Sequence, residues 1–100
     1  MFKKLLIIII PFLLFSCSSR VDEAEVKKAR QFFESVFQDN VLESPEFQAS
    51  LGYKSNYDKW DDITWQASRQ RAYRAKDDLA YLEKNIDFDK LDESSKISYR

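Results

Sequence analysis

The sequence predicts an all-α fold: an apolar N-terminal segment, three helices of which the middle one is short, and the start of a fourth. Three observations carry that prediction. Apolar residues recur at three- and four-residue steps in two long stretches. Helix-start residues precede both stretches, at Asp22 and Thr64, and the short helix between them, at Ser44. Glycine occurs once and proline twice in 100 residues, so little interrupts a helix, and no run alternates with the period of a strand.

The first long stretch is Asp22–Leu42. Asp22 is placed to cap it, with Glu25 three residues on in a capping-box arrangement. Val26, Ala29, Phe33, Val36, Phe37 and Asn40 form one stripe, widened by Phe32, and Glu23–Lys27 is an i,i+4 pair on the opposite face. Ser44-Pro45-Glu46 then opens a two-turn helix: a capping serine, proline at the first position, an acid in the first turn. Phe47, Ser50 and Leu51 share its apolar face, and Gly52 suits the left-handed position that ends it.

Residues 53–63 carry neither period. Tyr53, Tyr57 and Trp60 predict an ordered connection held down by its aromatics. Thr64 caps a third helix, in which Trp65, Ser68, Ala72, Ala75, Leu79, Leu82 and Ile86 form a heptad-type seam. That seam predicts a helix pair within the chain, with the small residues at 68, 72 and 75 admitting a close neighbour. Residues 87–91 read as a turn, and Asp92 or Ser94 begins a fourth helix. It carries an amphipathic pattern through Arg100 without a stop signal or an evident partner, which predicts a longer parent protein.

Composition narrows the chemistry. The sequence has no histidine and one cysteine, so internal disulfides, Cys/His zinc sites and histidine-based nucleophile systems are excluded. The lone glycine excludes Gly-rich phosphate loops. On composition, these 100 residues are not expected to form a complete enzyme. Asp58, Asp61 and Asp62 are the densest acidic group, but adjacent carboxylates point apart and no second cluster completes a site. They read as loop or capping residues, and no catalytic or metal-ligating residue is assigned. Asp77 and Asp78 read as solvated. Arg69, Arg71, Arg74 and Lys76, interleaved with Trp65 and Tyr73, have the look of a nucleic-acid stripe. The charge balance of 16 basic against 17 acidic residues favours pairing with acids of a neighbouring helix instead. Tyr53, Tyr57, Trp60 and Trp65 suit a sugar platform less well than core packing.

The overall hydrophobic share of 44% is uneven. Twelve of the first 16 residues are apolar, behind Lys3 and Lys4, and Pro11 interrupts the run. A short basic start and about eleven apolar residues form the layout of a secretory signal, too short for the ~20 residues of a membrane span. Leu14-Phe15-Ser16-Cys17 resembles the bacterial lipobox, with Phe15 bulkier than the usual occupant. The resemblance implies cleavage after residue 16, diacylglycerol on the Cys17 sulfur and an acylated new N-terminus. Residues 17–21 are then a lipidated tether. Ser18, rather than Asp, after the cysteine implies the outer membrane, facing the periplasm. The remaining 84 residues carry 14 basic and 17 acidic side chains, and only 17 are Leu, Ile, Val or Phe. That is close to the ~20% share below which chains tend not to fold.

A family resemblance covers residues 22–100. Leu42-Glu43-Ser44-Pro45-Glu46-Phe47, then Ser50-Leu51-Gly52, then Tyr57-Asp58-Lys59-Trp60-Asp61-Asp62, ahead of an arginine-containing helix and Ile86-Asp87, is similar to the N-terminal part of the bacterial family named domain of unknown function 885. The resemblance implies a much longer, mainly helical, zincin-like metallopeptidase parent, with its zinc on a downstream His-Glu…His stretch to which nothing here corresponds. On this reading the chain is the anchor and outer helical part of an envelope protein, and its partners are the membrane and a C-terminal catalytic body. Two other readings stay open: a small helical lipoprotein acting as an interaction module, and an independent enzyme using Asp58, Asp61 and Asp62.

Overall fold

The computed structural model describes residues 20–100. Among them the chain is all-helical: α1 (Glu23–Glu43), α2 (Pro45–Ser50), α3 (Trp65–Asn85), a 3-10 turn (Phe88–Lys90) and α4 (Glu93–Tyr99). No helix of these residues is long and apolar enough to cross a membrane. Cys17, with Leu14, Phe15 and Ser16, and the signal segment 1–16 lie outside the described residues.

Side-chain caps set the helix starts. Asp22 accepts from the Ala24 amide, Ser44 from Phe47, Thr64 from Ala67 and Asp92 from Ser95. Each bond satisfies an amide with no partner inside its own helix. Gly52 ends α2 at φ 88°, where its amide donates to the Ala49 carbonyl and the Tyr53 amide to that of Gln48, both at 3.0 Å. This pair of bonds is the Schellman closure, and the left-handed φ it requires is open to glycine at little steric cost.

One expected cap is replaced. Glu25 does not fold back on the Asp22 amide, which donates to the Lys90 carbonyl at 2.9 Å. Its carboxylate instead accepts from the Asp87 amide at 2.7 Å and pairs with Lys28 at 2.9 Å. Lys28–Glu25, an i,i+3 pair, is thus the ion pair formed on this turn of α1, in place of the expected Glu23–Lys27. A carboxylate that bridges two segments also closes the chain, which a local capping box cannot do.

Helices α1 and α3 run antiparallel. Glu25 meets Asp87, Phe32 stacks on Tyr81 with ring centroids 5.0 Å apart, and Glu43 pairs with Arg74. The core occupies one end of this pair, where Val26, Ala29, Leu82, Ile86 and Leu91 are buried together and Phe32, Phe33 and Tyr99 lean on them. The 3-10 turn places Leu91 at 1% exposure under α4.

Three sequence expectations are corrected by this packing. The fourth helix does have a partner: α4 lies against α1, joined by the Arg30–Asp92 ion pair at 2.6 Å, and Tyr99 meets Phe88 edge-on at 5.2 Å. The apolar stripe of α1 is buried only near its start, at Val26 and Ala29. The seam of α3 is buried only at Leu82 and Ile86, whereas Leu79 is 53% and Trp65 80% exposed. A heptad pattern records which side of a helix seeks a neighbour. It does not record whether one short antiparallel partner is long enough, or aligned well enough, to cover it.

Candidate functional site

The end opposite the core is held by polar groups. Gln48, on α2, is 6% exposed. Its side-chain amide donates to the Val41 carbonyl at 2.9 Å and to that of Leu42 at 3.3 Å, and its oxygen accepts from the Asn56 side chain at 2.7 Å. The last carbonyls of α1 lack acceptor roles within their own helix, and Gln48 supplies a donor while tying the connection to α2. The expected apolar face of α2 is not the inward one: Phe47 is 37% and Leu51 46% exposed, although Phe47 meets Phe37 edge-on at 5.9 Å. A buried glutamine carries no hydrophobic signal. Its position in the first turns after Ser44-Pro45 was the one available clue.

Asp61 completes this junction. Its carboxylate accepts from the Ser44 hydroxyl at 2.6 Å and from the Glu46 amide at 3.0 Å. The Ser44 hydroxyl, then the Glu46 amide, hold the Asp61 carboxyl below the usual carboxylate range. Asp62 accepts from the Thr64 amide at 2.9 Å, and Thr64 lowers its pKa likewise. Arg71 donates to the Asp62 carbonyl at 3.0 Å and to Ser68 at 3.2 Å. The adjacent carboxylates therefore have separate jobs, capping α2 and leading into α3, as expected of residues that point apart. Asp58 stays exposed.

Zinc does not fit these residues. The sequence supplies no histidine, Asp61 and Asp62 are already engaged by hydroxyl and amide donors, and no group of three or more potential ligands converges among the described residues.

The basic residues of α3 divide. Arg74 pairs with Glu43, and the Glu43 carboxylate favours its charged form. Arg69 lies over the Tyr73 ring at 5.5 Å and donates to the Tyr73 hydroxyl. Arg71 belongs to the loop junction. These contacts agree with a face matched to acids and carbonyls of the same chain.

The aromatics of the connection do not pin it. Tyr53, Tyr57, Trp60 and Trp65 are 53%, 58%, 83% and 80% exposed, and Ile63 is 87% exposed. Core packing, expected for this set, is corrected: asparagine, aspartate and arginine hold the segment, and the rings face outward. The connection is thus a polar-fastened loop whose large apolar side chains are exposed, next in sequence to the uncovered half of the α3 seam. No family model, curated protein or solved structure matches this chain.

Proposed function

We propose that the chain is the N-terminal, lipid-anchored helical part of a longer bacterial envelope protein. Cys17 carries the lipid, residues 18–21 are the spacer, and the helices rest on a catalytic body of zinc-peptidase type that supplies all of the chemistry. The outer membrane, on its periplasmic side, is the site of anchoring. The observation that carries the anchor is Cys17 directly after Leu14-Phe15-Ser16 at the end of a basic-then-apolar start. What supports docking on a larger body is the uncovered seam of α3. Ser68, Ala72 and Ala75 are exposed and small, and Leu79 is half exposed, so a helix can approach closely there.

Replacing Cys17 by Ala tests the anchor. The variant is expected to lose all labelling by radioactive palmitate and to accumulate with its signal segment uncut. Normal processing and unchanged membrane partitioning would contradict the proposal.

A second reading, a helical interaction module without catalysis, is favoured by the closed core around Leu91 and α4. It requires the mature chain to unfold cooperatively by itself. A broad, non-cooperative melt would argue against the module and for dependence on a larger body.

A further inference from the structure

We propose that the segment seated on the exposed seam of α3 is an acidic amphipathic helix whose carboxylates pair with Arg69 and Lys76. This inference rests on the reading that α3 docks on a larger body, and it names the chemistry of the surface that meets it. At ~100° per residue, Trp65, Ser68, Ala72, Ala75 and Leu79 fall within an arc of ~80° on one side of α3. All five are exposed. The side of α3 that meets α1 is a different one. There Arg74 pairs with Glu43, Tyr81 stacks on Phe32 and Leu82 enters the core.

Charge identifies the occupant. Arg69 and Lys76 border the seam on the margin turned away from α1, ~20–40° beyond Trp65 at ~100° per residue. Between Trp65 and Leu79 this margin carries no acid. Arg69 reaches only the Tyr73 side chain, and neither cation joins an ion pair among the described residues. Arg71 and Arg74, nearer to α1, are by contrast occupied within the chain, by the Asp62 carbonyl and Glu43. Cations seven residues apart stand ~10.5 Å apart along the axis at 1.5 Å per residue, which matches acids seven residues apart on a second helix. Ser68, Ala72 and Ala75 leave room beside them for the large apolar side chains of that helix.

A second copy of α3 is a poor occupant. Parallel pairing along the seam opposes Arg71 to Lys76 and Asp78 to Glu83, like charges in both cases. Antiparallel pairing centred on Ala72, the middle of the exposed stretch, opposes Arg69 to Lys76. Like charges brought together across an interface are costly, so the margin that attracts an acidic helix turns away its own copy.

The test is photo-cross-linking of the full-length protein in its own membranes. A photoreactive benzoylphenylalanine is placed at Ala80, exposed and one turn from Lys76, and the joined peptide is sequenced by mass spectrometry. The expected partner is a peptide of the same polypeptide outside residues 17–100, with Asp or Glu at seven-residue spacing. Arg69→Glu with Lys76→Glu is expected to lower the yield per molecule at least about fivefold, because like charges then face each other. Arg69→Lys with Lys76→Arg, which keeps both charges, is expected to preserve it. An acidic helix on a separate polypeptide, lost on the same charge reversal, would support this inference while contradicting the larger-body reading. Cross-links to a second copy, to lipid or to a segment without acids would overturn the inference. So would the absence of any cross-link, or a yield indifferent to charge reversal.

Discussion

The Ser44 hydroxyl donates to the Asp61 carboxylate at 2.6 Å across 17 residues of sequence, while its oxygen accepts from the Phe47 amide at 3.0 Å. One serine thus caps α2 and fastens the loop that follows it. Asp61→Ala removes the acceptor for both Ser44 and the Glu46 amide. Hydrogen exchange at Glu46 and through residues 53–63 should accelerate severalfold, with protection in α1 near Val26 unchanged. Equal acceleration at both ends of the molecule would contradict a local role.

Gln48 is the buried polar residue of the same junction. Gln48→Leu has similar volume but leaves the Leu42 carbonyl without its donor, the Val41 carbonyl with the Ser44 amide alone, and Asn56 without its acceptor. Orphaned buried polar groups cost ~1–3 kcal/mol, so the urea midpoint should fall by the corresponding amount. A gain in stability would mean that these groups find water instead.

The core and the seam should respond differently to the same kind of truncation. Leu91→Ala empties a site at 1% exposure, and buried leucine truncations cost ~2–5 kcal/mol. In a core of this size that loss is expected to lower the helicity measured by circular dichroism. In residues 17–100 alone, Leu79→Ala, at a half-exposed seam position, should stay within ~0.5 kcal/mol of the unsubstituted chain, and cost more where the proposed larger body covers the seam. A large effect at Leu79 would show that the seam is covered in solution.

Acid should open the structure at its carboxylate fasteners. The Asp87 amide, then Lys28, lower the pKa of Glu25, and hydroxyl and amide donors lower those of Asp61 and Asp62. A carboxyl with a depressed pKa in the folded state contributes stability that is full above its unfolded pKa and is lost as pH falls through the folded one. Helicity should therefore hold through mildly acidic pH and decline only through and below the usual carboxylate range. Glu25→Gln should weaken the pH dependence of the α1–α3 junction.

Local signals were the legible part of this sequence. Asp22, Ser44, Thr64, Asp92 and Gly52 each sit where sequence places them, because capping and left-handed turns are decided within a few residues. Long-range choices were not legible. Glu25 has a local role open to it and takes a distant one, since bridging to Asp87 closes the chain. Gln48 is buried because carbonyls ending α1 need a donor there, which no periodicity reveals. The aromatics of residues 53–65 were expected inward on grounds of size. They face outward while Asp61 and Asn56 take the partly buried positions. The seam of α3 was legible as a pattern, but its lack of cover is a property of the partner helix.

The identity of the mature N-terminus tests the proposed function most directly. Intact mass and fragmentation of the protein purified from membranes should show a chain beginning at Cys17, with diacylglycerol on its sulfur and an acyl group on its amine. A chain that begins elsewhere, or a free thiol at Cys17, would contradict the account.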